Sequence, residues 1–532
     1  MKQMLLARSS QNTDTLLVLK IMVSQKNKRI AVIGAGISGI AAANVLKKQG
    51  YQAVIFEKST EIGGVWAVAY PEVRLQNISS QYHLFDFPWT FTPDLHPTQT
   101  QIRQYLNAAV ECLQIDVRLN HEVFALEEIK EGWRMRFQNT NGCHEQIFNY
   151  VLIATGLYTQ RQNRPTFPGE ADFTGKIVTE RAIKSLDIFN DERVAVVGFG
   201  KSAIDMAILA ARRGQQVHHV FRQPRWLIPQ KVLGLHYTRI LFSRLNSVTT
   251  PSWAYPTIVE QFLHHRLNFI VSSIGKLVES IFRLQIQWNG FGRDQAATDR
   301  LKIVQPKHSL ASDLRSATAV APEVYYRFVA EGRIQPHHAE VYGFSKDTLK
   351  LEQGEEIQSD VVVLSLGSQT PIFPFLPQKY RHLLEAHKDG VQLYRHLIHP
   401  SIPNLGFVGF NHGFLHVPAV EIGTLWLCAY LDGELELPSV EQMKQDIEQI
   451  RQWKNAHIQF EPTRGSGVNV RYQQYIDILL RDLGISPYRK MPNILAEIFD
   501  RYNCSDYKSV LEEYNRNRTS RTTPLHPLAV ST

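Results

Sequence analysis

The chain has 532 residues, 44% hydrophobic and 20% charged, enough to fill two or three packed domains. Its net charge of +8 comes with no basic low-complexity arm, so anionic small molecules or a membrane surface, not nucleic acid, are the expected partners. The cysteines Cys112, Cys143, Cys428 and Cys504 form no C-x-x-C, which argues against a disulfide framework or metal site and fits a reducing, cytoplasmic setting.

In chain order, residues 1–27 read as a disordered leader. Leu16 to Leu19 and Ile21 to Val23 flank Lys20 in a stretch too short to span a bilayer, and no small-residue cleavage site follows. An alternative start at Met22 would account for its lack of pattern.

The first ordered segment is an apolar strand, Ile30 to Ile33, running into Gly34-Ala35-Gly36-Ile37-Ser38-Gly39 and an Ala-rich helix. In such a turn the first glycine permits the bend, the second lets backbone approach a pyrophosphate, and the third lets helix pack on strand. The pyrophosphate then sits at the helix N-terminus. A second strand, Ala53 to Phe56, ends in Glu57 and Lys58, and an acid at that distance is placed to accept from ribose hydroxyls. This turn therefore reads as a site for FAD. Tyr150 to Ala154 is a further strand ending in the small-residue turn Thr155-Gly156.

A second fingerprint follows Val194 to Val197: Gly198-Phe199-Gly200-Lys201-Ser202-Ala203. Its matching strand, Val217 to Phe221, ends in Arg222, with Arg225 nearby, where the first has an acid. A guanidinium suits a 2′-phosphate, so this site reads as NADPH. Two dinucleotides on one polypeptide narrow the chemistry to hydride transfer from a nicotinamide to a flavin.

Residues 231–293 interrupt the second domain. Leu263, Leu267, Ile270, Ile274, Leu277, Ile281 and Leu284 alternate steps of four and three, one face of a helix. The expected reading is a helical insertion docked on the core, and the competing one a channel lid or membrane-surface face. The segment Asp360 to Gly367 repeats the strand-to-glycine pattern, and Asn404 to Gly409 supplies a last strand. The resulting expectation is an α/β protein of two nested Rossmann-like dinucleotide-binding domains with a helical insertion. The FAD-binding domain is discontinuous, 28–165 and 336–440, around an NADPH-binding domain at 166–335. Residues 441–515 form a C-terminal helical extension and 516–532 a disordered tail.

These residues bring the chain to a family. From about Lys28 to Pro438 it resembles the flavin-containing monooxygenases, class B flavoprotein monooxygenases that oxygenate soft nucleophiles. Gly63-Gly64-Val65-Trp66 is similar to the family's segment over the flavin. Asn77-Ile-Ser79 with Phe85-Asp-Phe-Pro88 is similar to its Asn-Thr-Ser stretch and turn. Ala154-Thr155-Gly156 matches its linker, and Pro418-Ala-Val-Glu421 with Trp426 and Gly433 its late helix. The resemblance also implies flavin contacts from Gln76 and Val123. The family's Phe-x-Gly-x-x-x-His pattern departs here, with Thr179 in the place of His. The Baeyer–Villiger relatives' Tyr-Pro-Gly followed by Asp is missing too, since Tyr70-Pro71 is followed by Glu72 and then Leu75-Gln76.

What the resemblance implies is a mechanism. NADPH reduces FAD, dioxygen adds at the flavin C4a carbon to give a hydroperoxide, and a nucleophilic nitrogen or sulfur of a small organic substrate takes the distal oxygen. Water must be kept out, and Asn77 is the candidate catalytic residue, an amide able to donate and accept at once. Ser79 or Ser80 takes that place if the register is shifted by the one residue missing between the two motifs. Alternatives are a Baeyer–Villiger-type or N-hydroxylating monooxygenase, an NADPH oxidase or dehydrogenase, and a non-catalytic nucleotide sensor. Partners under this reading are the substrate and dioxygen, with a homodimer and membrane contact through 231–293 left open.

Overall fold

The computed structural model describes residues 28–157, 161–250, 255–310, 313, 319–352, 354–457 and 466–530. The leader expected at 1–27 lies outside the described residues. The elements that position the two turns are numbered in chain order.

In the first domain, β1 (Arg29–Ile33), α1 (Ile37–Lys48), β2 (Gln52–Phe56), β3 (Val117–Arg118) and β4 (Tyr150–Ile153) come first. In the second come β5 (Lys176–Thr179), β6 (Arg193–Val197), α2 (Lys201–Ala211) and β7 (Gln216–Phe221). The insertion folds as α3 (Tyr237–Leu241), α4 (Arg244–Thr249), α5 (Ile258–His265) and α6 (Asn268–Trp288). Then follow β8 (Ile334–His338), β9 (Val361–Leu364), β10 (Leu405–Phe407) and α7 (His416–Leu431). The chain ends in α8 (Val440–His457), α9 (Tyr472–Asp482), α10 (Ile494–Phe499) and α11 (Val510–Ser520).

Two parallel five-stranded sheets result, in the orders β10-β4-β1-β2-β3 and β8-β7-β6-β9-β5. Their central strands are apolar on both faces because both faces are covered. Helices such as α1 and α2 cover one, and a three-stranded antiparallel layer largely covers the other, within 122–148 in the first domain and 341–358 in the second. All of β4 and all of β9 are buried. Each fingerprint therefore lies at the carboxyl end of a central strand, β1 or β6, where ligands of open α/β sheets bind.

Three expectations are corrected. The run Val361–Leu364 was assigned to the first domain, but it pairs with Val194 to Val197 of β6 in the second sheet. The hairpin strands Val341–Ser345, Thr348–Leu351 and Glu356–Gln358 also belong there, through Phe344 packed on Phe173. The second domain thus runs on beyond 335, and the chain crosses back where Gln162 and Ser368 pair side by side. An all-apolar run announces a buried parallel strand without saying which sheet receives it.

The tail is the second correction, because its described part, 516–530, is held in place. Arg518 pairs with Asp432 at 3.1 Å, and Leu525 exchanges backbone hydrogen bonds with Glu434 and Glu436. The Leu528 amide donates to Asp482, whose carboxylate is fully buried with Arg395 at 2.7 Å. Polar composition suggests a solvated segment, but its charges and amides find partners on the loop after α7 and on α9.

The third concerns the insertion. Helix α6 docks through Phe282 and Ile286, while Ile270, Ile274, Leu277 and Leu284 of the expected core stripe stand in solvent. Helical periodicity shows that an apolar face exists and not what it meets.

Candidate functional site

The first turn is built tightly. Gly34 has φ +113°, and a Cβ there would lie 2.6 Å from the Ala154 carbonyl oxygen. A Cβ at Gly39 would lie 1.9 Å from the Gly34 carbonyl oxygen. These glycines are required by the fold. The Glu57 carboxylate is buried beside the turn and accepts from the Ala35 amide at 2.8 Å and the Ser59 amide at 2.9 Å. Ala154, Thr155 and Gly156 close the far side, and Gly63 donates to the Ala35 carbonyl, bringing Gly64, Val65 and Trp66 over the turn. Val123 follows His121, whose amide donates to the Glu57 carbonyl at 2.8 Å. Lys58 is exposed at the rim.

The second turn repeats the plan with different parts. Gly198 has φ +124°, and its Cβ would meet the Ser365 carbonyl oxygen at 2.4 Å. Ala203 fills the third position, fully buried. Beneath the turn, His219 donates from Nε2 to the Gly198 carbonyl at 2.7 Å and bonds the Tyr325 hydroxyl at 2.8 Å. Burial holds the His219 pKa down at about 4, so the ring is neutral. Arg222 is exposed at the end of β7. Arg225 instead faces the buried Asp313 at 3.5 Å, which leaves Arg222 as the more available cation for a phosphate.

The middle glycines are the informative ones. Gly36 and Gly200 have φ of −78° and −88°, extended backbone that any residue adopts. A Cβ at Gly36 would meet nothing nearer than the Gly64 Cα at 3.7 Å, and at Gly200 nothing within 4 Å. Neither conformation nor packing calls for glycine at these two positions. A ligand pressed against the backbone would. Both helices also start without a side-chain cap or an acid in the first turn, whereas Thr98 and Thr257 cap their helices with full capping boxes. The first-turn amides of Ile37 and Ser38, and of Lys201 and Ser202, are thus left to an anion. The residues present fit a dinucleotide pyrophosphate at each turn.

In the chain, the Asn77 segment comes between the two turns. Asn77 is buried at 8% exposure, and its side-chain amide makes no hydrogen bond among the described residues. Ser80 is committed to Asn503 at 2.8 Å, which favours Asn77 over Ser80 as the free group. Gln76 gives its side-chain oxygen to the Val320 amide at 2.9 Å and its carbonyl to the Tyr237 hydroxyl. His96 donates from Nδ1 to the carbonyls of Leu75 and Asn77, both at 3.1 Å. Its Nε2 must then accept, and it faces the His236 Nε2 at 3.3 Å. The insertion thus clamps the Asn77 backbone through His236 and Tyr237. Burial lowers the pKa of both imidazoles, in keeping with a neutral pair.

Sequence reasoning missed that clamp and three other connections, each between residues far apart in the chain. Tyr70 of the first domain donates to Asp205 of α2 at 2.7 Å, and Lys201 donates to the same carboxylate oxygen. Asp205 lies four residues after Lys201, a spacing that could have flagged the pair. His416 meets Ser38 of the first turn at 2.8 Å, and Glu421 takes the Phe85 amide on both oxygens. Glu421 therefore ties the late helix to the Phe85–Pro88 turn, two motifs singled out separately. Burial pushes its carboxyl well above the usual range. Thr179 donates to Gln162 of the crossing segment at 2.7 Å, a linker contact and not a position in either turn.

Comparison with known proteins agrees with this geometry. Residues 31–249 match the family model for pyridine nucleotide-disulphide oxidoreductases. The chain is 27% identical to a probable flavin-containing monooxygenase 1 of Arabidopsis thaliana, over 92% of this chain and 97% of that protein. Over most of its length it is similar to proteins named flavin-containing monooxygenases. Its fold is shared by an open crystal structure of cyclohexanone monooxygenase, with TM-score 0.65 at 18% identity over 86% of this chain and 98% of that one. It is shared also by S-allyl-L-cysteine S-oxygenase from Allium sativum, with TM-score 0.59 at 19% identity over 93% and 94%. No helix among the described residues is long and apolar enough to cross a membrane.

Proposed function

We propose that this monooxygenase uses NADPH and FAD to oxygenate a nucleophilic nitrogen or sulfur of a small organic substrate. The observation that carries the two-cofactor reading is the pair of middle glycines, Gly36 and Gly200, which the protein's own packing does not require. FAD held at the first turn supplies the redox chemistry and the activation of dioxygen. The chain's own residues hold and enclose. Glu57 addresses the ribose at the first turn, Arg222 the 2′-phosphate at the second, and the uncapped helix ends the pyrophosphates. Asn77 presents an uncommitted amide between them, and the His96–His236–Tyr237 clamp fixes its backbone.

A soft nucleophile is favoured over a ketone because the Baeyer–Villiger relatives' Tyr-Pro-Gly followed by Asp is replaced, with Glu72 directly after Tyr70-Pro71. The Allium relative, by its name, oxygenates a sulfur. The reading includes a cytoplasmic location, pairing of two copies, and contact of the insertion with a membrane surface.

The test is anaerobic reduction by NADPH followed by oxygen and a thioether or tertiary amine. Sulfoxide or N-oxide formed in step with NADPH consumed is the expected result. Hydrogen peroxide alone would reject oxygen transfer. In Asn77→Ala, FAD content and reduction should persist while peroxide release rises at the expense of product, because the lost amide removes a hydrogen bond and admits water. Unchanged coupling would remove Asn77 from the mechanism and leave the monooxygenase reading standing.

A further inference from the structure

The stretch 63–72 runs from the first turn to the helix of the second. Its start is tied to the first domain: the Gly63 amide donates to the Ala35 carbonyl at 3.0 Å, and the Trp66 indole donates to the Tyr82 hydroxyl at 2.8 Å. Its end is tied to α2. The buried Tyr70 hydroxyl donates to Asp205 at 2.7 Å, and Glu72 pairs with Arg213, just past the end of that helix, at 2.8 Å. Glu72 holds φ +61°, a left-handed backbone that a non-glycine residue adopts only at a cost. One segment thus touches the parts that address both cofactors.

An ion pair makes the second tie responsive. Asp205 lies one turn inside α2, and one of its carboxylate oxygens takes both the Tyr70 hydroxyl and the Lys201 ammonium. Lys201 opens the helix, beside the uncapped amides left to a pyrophosphate. A diphosphate seated there attracts the ammonium and repels the carboxylate. As Lys201 turns toward it, Asp205 loses its cation and keeps Tyr70 as its remaining partner among the described residues. Burial and that carboxylate push the Tyr70 hydroxyl well above its ordinary pKa, so it stays a donor. A hydrogen bond to a bare carboxylate is stronger than one to a carboxylate that an ammonium already neutralises.

We propose that Tyr70 and Asp205 are positioning residues through which a coenzyme phosphate at the second turn holds 63–72 more firmly over the flavin turn. This coupling rests on the two-cofactor reading above and adds to it a route from one turn to the other. By linkage, a segment already held closed favours the coenzyme by the same factor.

Hydrogen exchange of the FAD-loaded protein reads the coupling without turnover. Added NADP+ should slow exchange at the Gly63, Trp66 and Ala67 amides on the order of tenfold, within the reach of one strengthened bond to a charged group. In Tyr70→Phe, which keeps the buried ring, NADP+ should still bind and protect the start of α2 while 63–67 no longer responds. In Asp205→Asn the side chain can still accept from Tyr70 but has no charge to unmask. NADP+ should then bind at least as tightly as in the parent, again without a response at 63–67. Anaerobic mixing with NADPH should show slower flavin reduction at saturation in both variants, with no loss of coenzyme affinity. Parental slowing at 63–67 in either variant overturns the proposal. Binding by the parent with no slowing there also overturns it and leaves the two-cofactor reading standing, whereas no binding of NADP+ by the parent overturns both.

Discussion

The two glycine turns share a backbone plan and differ in everything that touches the plan from outside. In the first, a carboxylate, Glu57, is folded against the turn by two backbone amides, and Gly39 is required because helix and strand come into contact. In the second, Ala203 is tolerated, a neutral His219 supports the turn from below, and an exposed Arg222 stands where the acid would be. An acid suits ribose hydroxyls and repels a phosphate, whereas a guanidinium does the reverse. What the pair teaches is that fold and ligand make separate demands on one motif. The outer glycines answer to the fold and the middle ones to the ligand.

The largest effects should come from separating those demands. Gly36→Val should yield folded protein without FAD, and Gly200→Val yellow protein that NADPH cannot reduce, since neither new Cβ meets an atom closer than 3.7 Å. Gly39→Ala should fail to fold, its Cβ lying 1.9 Å from a backbone carbonyl. Absorbance at the flavin band with circular dichroism reads all three. A Gly36→Val protein with full FAD would show that the first turn holds no flavin.

Next in size is coenzyme choice. Arg222→Ala should weaken NADPH by roughly tenfold to a hundredfold and barely affect NADH, the worth of a charge-assisted contact to a phosphate. Equal losses for both coenzymes would take Arg222 off the phosphate. Lys201→Met makes the contrast. It opens α2 beside the expected pyrophosphate, common to both coenzymes, so the two KM values should rise together by a few-fold. A loss confined to NADPH would move the phosphate from Arg222 to Lys201.

How far these features were legible in the chain depends on the range of the interaction behind them. The turns, Glu57 and Arg222 were readable because their spacing is fixed by one β-α-β unit, and Phe85–Pro88 because the motif is contiguous. Val361–Leu364 reads equally well in either sheet because an all-apolar strand fits the middle of both. The stripe on α6 was seen and its direction was not, since core and membrane ask the same apolarity of a helix face. Tyr70 with Asp205, and His96 with His236, meet across 135 and 140 residues and leave no periodic trace. Their contacts exist only once the domains and the insertion have closed on each other.

The smallest effect should be an acid slope, and it separates the turns once more. Each has a buried neutral imidazole: His416 on Ser38 at the first, His219 on the Gly198 carbonyl at the second. Burial takes both from the ordinary 6.5 down to about 4. A depressed folded pKa means that the unfolded chain binds the proton first as pH falls. The stabilisation is therefore complete above 6.5 and is lost progressively toward 4. Near pH 5.5 the loss is about 1 kcal/mol for each ring. His416→Gln keeps a partner for the Ser38 hydroxyl and cannot take up a proton, so the melting temperature should fall less steeply between pH 7 and about pH 5.5 than in the parent. FAD content at neutral pH should not change, because the amide still reaches Ser38. Identical slopes in parent and variant would mean that the imidazole on the first turn is not titrating with unfolding, and the acid sensitivity would then come from the other depressed imidazoles, His219 of the second turn among them.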